Sequence, residues 1–159
     1  MLAGCGQQSS SVPKAIVKQA SSTVQLPKMT GIQSLSIASD GAASIWMVPI
    51  DLNSTKTQVL NWLKIAEPLS VQLPQSKSKK QWTTSAYTGP STLYLHLKDK
   101  ENITIAPAYY IWVTNSGFTY HYLDGVIAYE NGNKKAYFKD PALYQWLKDD
   151  QWKPQFKNF

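Results

Sequence analysis

Between Leu93 and Phe138 the chain passes through a series of short apolar and aromatic runs, with gaps too brief to hold a helix. The runs are Leu93–Lys98, Ile103–Ile105, Tyr109–Val113, Phe118–Tyr122, Val126–Glu130 and Lys135–Phe138. Within the first, Leu93, Leu95 and Leu97 fall on one side and Tyr94 and His96 on the other, the period-two alternation of a half-buried strand. Asn115-Ser116-Gly117, Asp124-Gly125 and Asn131-Gly132 separate later runs. Asn-Gly between alternating stretches is a strong signal for a tight hairpin turn, so Lys135–Phe138 is expected to return antiparallel beside Val126–Glu130.

The remainder of the chain adds strands and two helices. Ser34–Ala38 and Ser44–Val48 alternate around the turn signal Asp40-Gly41, and Pro49 closes the second of them. Ser54–Glu67 has helical period, with Val59, Trp62, Leu63 and Ala66 inward, Lys56, Asn61 and Lys64 outward, Asp51 or Asn53 as cap and Pro68 as stop. Leu69–Leu73 and Trp82–Tyr87 read as strands, with a solvated Lys-rich loop at Gln75–Lys80 and a turn at Gly89-Pro90 between or beside them. Asp140 caps a second helix that starts at Pro141 and turns Leu143, Trp146 and Leu147 inward, and Pro154 ends regular structure before a polar tail. This order, without regular alternation of strand and helix, predicts an α+β fold: an antiparallel sheet with two helices packed mainly on one face.

A chain of 159 residues with 43% hydrophobic and 16% charged residues suits one core. Its net charge of +6 is carried entirely by Lys, without a single Arg. Arg supplies the planar fork that reads guanine edges and grips phosphates, so nucleic acid is not an expected partner, whereas a diffuse Lys field suits an anionic surface. One cysteine excludes an internal disulfide. No apolar stretch reaches the roughly 20 residues that span a bilayer.

That cysteine sits in Leu2-Ala3-Gly4-Cys5, which resembles the lipobox of bacterial lipoprotein precursors. The resemblance covers these residues only, and it implies that Cys5 is the lipid-attachment residue, whose thiol takes a diacylglyceryl group in thioether linkage before the chain is cut ahead of it. Residues 1–5 then read as a signal-peptide remnant and lipobox, 6–30 as a flexible tether rich in Ser and Gln, and 31–159 as a single globular domain. The apolar pair Ile16-Val17 leaves room for a short docked edge strand. The implied address is the extracytoplasmic side of the cell membrane, held by acyl chains at about 0.8 kcal/mol per buried methylene.

The residues that carry chemistry are few. His96 and His121 form no spaced metal pair, no Ser stands in a Gly-x-Ser-x-Gly elbow, and Gly-rich phosphate loops are absent, so neither metal nor cofactor is expected. Aromatic residues are plentiful instead, at 12% of the chain. Alternation sends Tyr110 and Trp112 to one face of their strand, and Phe118, Tyr120 and Tyr122 to one face of theirs. These five are the expected ligand-binding residues, able to stack on an envelope glycan or to receive another envelope protein. The expected role is a non-enzymatic binding domain displayed at the membrane. The alternatives are a carboxylate-based hydrolase of envelope polymers and a structural or inhibitory accessory subunit.

Overall fold

A computed structural model describes residues 11–21, 24–39, 45–76 and 89–159. The expectations for Cys5, the Asp40-Gly41 turn, the Lys77–Lys80 run and the Trp82–Tyr87 strand lie outside these residues. The described chain forms a nine-stranded sheet and two helices, a sheet-rich α+β fold. In chain order the elements are β1 (Ile16–Gln19), β2 (Ile32–Ser39), β3 (Ile45–Pro49), α1 (Leu52–Ile65), β4 (Glu67–Gln72), β5 (Thr92–Leu97), β6 (Asn102–Thr114), β7 (Gly117–Asn131), β8 (Lys134–Lys139), α2 (Pro141–Lys148) and β9 (Phe156–Asn158). Across the sheet they lie in the order β1-β4-β8-β7-β6-β5-β2-β3-β9, and every pairing is antiparallel.

The meander β5–β8 is the centre, because each link in it is a short turn. Gly132, with φ of +57°, opens the two-residue turn Gly132-Asn133, which follows the pair Asn131–Lys134 and sets Glu130 opposite Lys135 and Ala128 opposite Tyr137. From β3, α1 carries the chain over the meander to β4; α2 and a short 3-10 turn then return it from β8 to β9 on the far edge. Asp51 caps α1 by accepting from the Ser54 amide at 3.0 Å, and Asp140 caps α2 by accepting from the Leu143 amide at 3.0 Å.

One core joins the helices to alternate positions of the strands. Leu35, Ile37, Leu93, Leu95, Ile103, Ile105, Ile127, Tyr129 and Phe138 cluster with Val59, Leu60 and Leu63 of α1 and Leu143, Trp146 and Leu147 of α2. The strand face carrying those residues is called the core face below, and the opposite one the second face. The helices also meet each other where Trp62 and Trp146 lie 5.5 Å apart. No helix among the described residues is long and apolar enough to cross a membrane.

Four readings of the sequence need correction. Ile103–Ile105 and Tyr109–Val113 are one strand, and so are Phe118–Tyr122 and Val126–Glu130. Pro107 and Asp124-Gly125 do not end these strands, because they flank an irregularity that absorbs both. Lys56 is buried on α1, not turned to water, and its ammonium donates to the Ile32 carbonyl at 2.7 Å. α1 ends at Ile65, ahead of Pro68, which sits in β4 opposite Phe138. The tail beyond Pro154 is ordered as β9 beside β3, since Trp152 and Phe156 bury themselves in the core. Upstream, β1 pairs with β4 and Val24 and Leu26 pack on the core, so the docked edge strand allowed by Ile16-Val17 is the arrangement present.

Candidate functional site

Alternation decides what the second face offers. Where the core face has Leu93, Leu95, Ile103 and Ile105, the second has Thr92, Tyr94, His96, Asn102, Thr104 and Ala106, and across β7 and β8 it continues into Ala128, Glu130, Lys135 and Tyr137. Small, hydroxylic and aromatic side chains therefore stand side by side on several strands. Such a surface offers stacking and hydrogen-bonding groups rather than apolar area alone.

A groove of about 480 Å³ runs over this face, bounded by Thr104, Ala106, Tyr110, Glu130 and Tyr137 and walled by Leu73-Pro74 after β4. Its charged rim is one ion pair, Lys135 Nζ to Glu130 Oε1 at 2.7 Å, with the same ammonium 5.6 Å from the centre of the Tyr137 ring. Burial alone would lower the Lys135 pKa, but the hydrogen bond to Glu130 and the neighbouring Tyr137 hold it above its ordinary value. Both side chains are about half exposed, so the pair contributes under about 1 kcal/mol to stability and serves better as a source of polar contacts.

Next to the groove, His96 bridges two strands. Its Nε2 lies 3.0 Å from Ser36 Oγ and its Nδ1 lies 2.9 Å from Asn102 Oδ1. An amide oxygen only accepts, so Nδ1 donates to Asn102, while Nε2 and the Ser36 hydroxyl share the second hydrogen bond. Trp46 meets Tyr94 in a tilted contact at 4.8 Å, and Tyr94 in turn lies parallel to His96 at 6.5 Å. Among the described residues no three His, Cys, Asp or Glu side chains come together as a metal cluster would require.

The expected site residues divide between two faces. Beyond the irregularity at Pro107–Tyr109 the pairs are Tyr109 with Tyr122, Tyr110 with His121, Ile111 with Tyr120, Trp112 with Thr119 and Val113 with Phe118. Tyr110 and Trp112 therefore share a face with His121, whose ring stacks on Tyr110 at 5.1 Å. Phe118, Tyr120 and Tyr122 share the other face with Tyr109, in a chain of rings 5.6 to 5.8 Å apart. Lys148 of α2 sits 5.1 Å over Tyr122, which places that second group beside the helix. Of the five, Tyr110 borders the groove. Its hydroxyl also donates to the Pro13 carbonyl at 2.8 Å, and Ala15 packs with Leu69, Val71 and Tyr110 against Ala108, Leu123 and Val126.

Sequence reasoning missed Tyr137, Glu130 and Lys135 as site residues. The turn signal at Asn131-Gly132 pointed to the hairpin but not to its register: the loop is Gly132-Asn133, one residue later, and that is what sets Glu130 opposite Lys135 and Tyr137 opposite Ala128. The walls from Leu73 and Pro74 follow from tertiary structure and leave no such trace. Compared with protein-family models, with curated proteins and with solved structures, the chain matches none of them.

Proposed function

We propose that this chain is the folded part of a cell-envelope lipoprotein, anchored through lipid on Cys5 at the extracytoplasmic side of the membrane, and that it binds an envelope glycan without transforming it. In this reading both helices cover the core face and leave the second face to the ligand. The clustering of α1 and α2 side chains with core-face strand residues supports that division.

The groove carries the binding assignment. Tyr110 and Tyr137 supply aromatic surface for sugar rings, while Thr104, Glu130 and Lys135 supply donors and acceptors for hydroxyls. Titration of the soluble domain with solubilised wall-glycan fragments, followed by NMR shifts, tests it. Saturable shifts centred on Tyr137, weakened at least about tenfold by Tyr137→Ala, are expected. A groove that stays silent up to millimolar fragment contradicts the assignment.

A second reading, an enzyme acting on envelope polymers, is favoured by one observation: Ser36, His96 and Asn102 stand in the order of a nucleophile, its base and the group that orients the base. Ser36 is 7% exposed and lies in mid-strand, where its own backbone takes part in the β2–β5 ladder instead of standing free to hold an oxyanion. A serine-directed phosphonate probe that labels Ser36 would favour the enzyme. An unlabelled Ser36 leaves these three side chains as a polar ladder across the strands.

A further inference from the structure

We infer that the groove is one end of a longer trough that takes an uncharged, linear glycan laid across the strands, with a second aromatic subsite at Trp46 and Tyr94; the inference rests on the glycan-binding reading of the groove. Register, ring placement and charge carry it.

Register builds the trough. On the second face Trp46 pairs with Ala38, Ala38 with Thr92, Ala106 with Ala128 and Ala128 with Tyr137, while Thr92 and Ala106 adjoin the pair Leu93–Ile105. One row of cross-strand neighbours thus starts at an aromatic side chain on β3, passes four small ones and ends at an aromatic side chain on β8. Its span is five strand spacings of about 4.8 Å, or about 24 Å. Thr92, Ala106, Ala128 and Tyr137 already line the groove, and Ala38 and Trp46 prolong it beyond β5. A low floor between two rings suits a run of linked sugars better than a single one. The adjacent row, Tyr94, Thr104, Glu130 and Lys135, supplies donors and acceptors along the same direction.

The second subsite is built where Trp46 reaches across β2. Only Ala38 and Ser36 stand between it and Tyr94, so the two rings meet at 4.8 Å above that strand. Trp46 is nevertheless 44% exposed. An indole held against a neighbouring ring and still open to water is ready to stack on a sugar with little further loss of freedom. The charge of the two rows sets the class of polymer. Glu130 and Lys135 are their only charged members, and they neutralise one another at 2.7 Å. The trough therefore offers rings and hydroxyls without a net charge to hold a phosphate-bearing polymer.

The probes are linear oligomers of N-acetylglucosamine, from dimer to hexamer, titrated into the full chain and followed by NMR. We expect the hexamer to shift Tyr137 and Trp46 at one shared midpoint and to bind at least about tenfold tighter than the dimer, because its second contact is intramolecular. Trp46→Ala should abolish that gain while keeping its circular dichroism. Should the variant misfold, the shared midpoint in the unaltered chain decides. Solubilised wall-glycan fragments separate this inference from the reading beneath it. If they bind at Tyr137 while the hexamer gains nothing over the dimer, or leaves Trp46 unshifted, the trough is overturned and the groove assignment stands. Silence toward every oligomer and fragment overturns both. A phosphate-bearing wall polymer that binds more tightly than the hexamer overturns the uncharged class.

Discussion

The β6–β7 hairpin is two different structures built from one pair of strands. In its inner part, Ile103, Ile105, Ile127 and Tyr129 are at most 1% exposed and belong to the cluster that also holds side chains of both helices, with β5 and β8 flanking them. In its outer part, Tyr109–Val113 and Gly117–Tyr122 are held by cross-strand rings, with Ser76 bonding the backbone of Val113. The inner half is stabilised by removal of aliphatic surface from water, the outer by aromatic pairs worth about 0.5–1.5 kcal/mol each beyond their area. Strand pairing continues unbroken in kind while the source of stability changes at a single irregularity. One hairpin thus draws on two sources of stability, aliphatic burial in its inner half and ring pairing in its outer half.

The largest test of this division is truncation on each side of the irregularity. Ile105→Ala empties a fully buried site and should cost about 3–4 kcal/mol in urea unfolding, whereas Trp112→Ala should cost under about 1.5 kcal/mol, since Trp112 is only half-buried. Equal losses would mean that the outer half belongs to the core.

Alkali should act on the inner half next. Burial pushes the Tyr129 hydroxyl up to about 12, and burial together with the charges of Asp124, Tyr122 and Asp149 does the same for Tyr144. Because the folded values are raised, the neutral forms are favoured by folding. Their contribution is complete below pH 10, the unfolded value, and is lost as pH climbs through about 12. The loss should approach about 2–3 kcal/mol per tyrosine. Urea melts at pH 9 and pH 11.5 measure it, and Tyr129→Phe should flatten the difference. The same variant should be about 1 kcal/mol more stable at pH 7, because the Tyr129 hydroxyl is buried with no hydrogen-bond partner among the described residues.

Removing the α2 cap is expected to have an intermediate effect. Asp140→Ala should cost about 1 kcal/mol by freeing the Leu143 amide. The smallest effect should come from the groove rim, where Lys135→Ala lowers stability by under about 0.5 kcal/mol yet weakens glycan binding if the groove is the site. A large stability loss from Lys135→Ala would turn the rim into a structural pair.

The sequence made the inner half of the hairpin legible and blurred the junction. Leu93, Leu95 and Leu97 announce their face by strict alternation, and Asn131-Gly132 announces its turn. Pro107 and Asp124-Gly125 carry the same local chemistry as chain breakers, yet Ala108 stands against the stretch 123–126 and Gly125 takes φ of +68° within a continuing strand. Only the register of the flanking pairs separates a bulge from a turn, and that is long-range information. Lys56 misled for a related reason: helical period gives its angle on α1, but the free Ile32 carbonyl that receives its ammonium belongs to β2. Of the candidate site, the aromatic strands were readable from composition, but the division of their rings between two faces was not, because alternation fixes a face within each strand and only the register of Tyr110 with His121 relates the two strands. The groove was not readable either, because its outer wall is Leu73-Pro74, brought over from beside the opposite edge strand.

The proposed envelope role of the groove requires that the sulfur of Cys5 carry lipid, and intact-mass spectrometry of the protein exported by a bacterial host and recovered from its membranes tests that directly. The account predicts a mature chain beginning at Cys5 with a diacylglyceryl group on its sulfur. A chain recovered from the aqueous fraction with an unmodified thiol at Cys5 would contradict it.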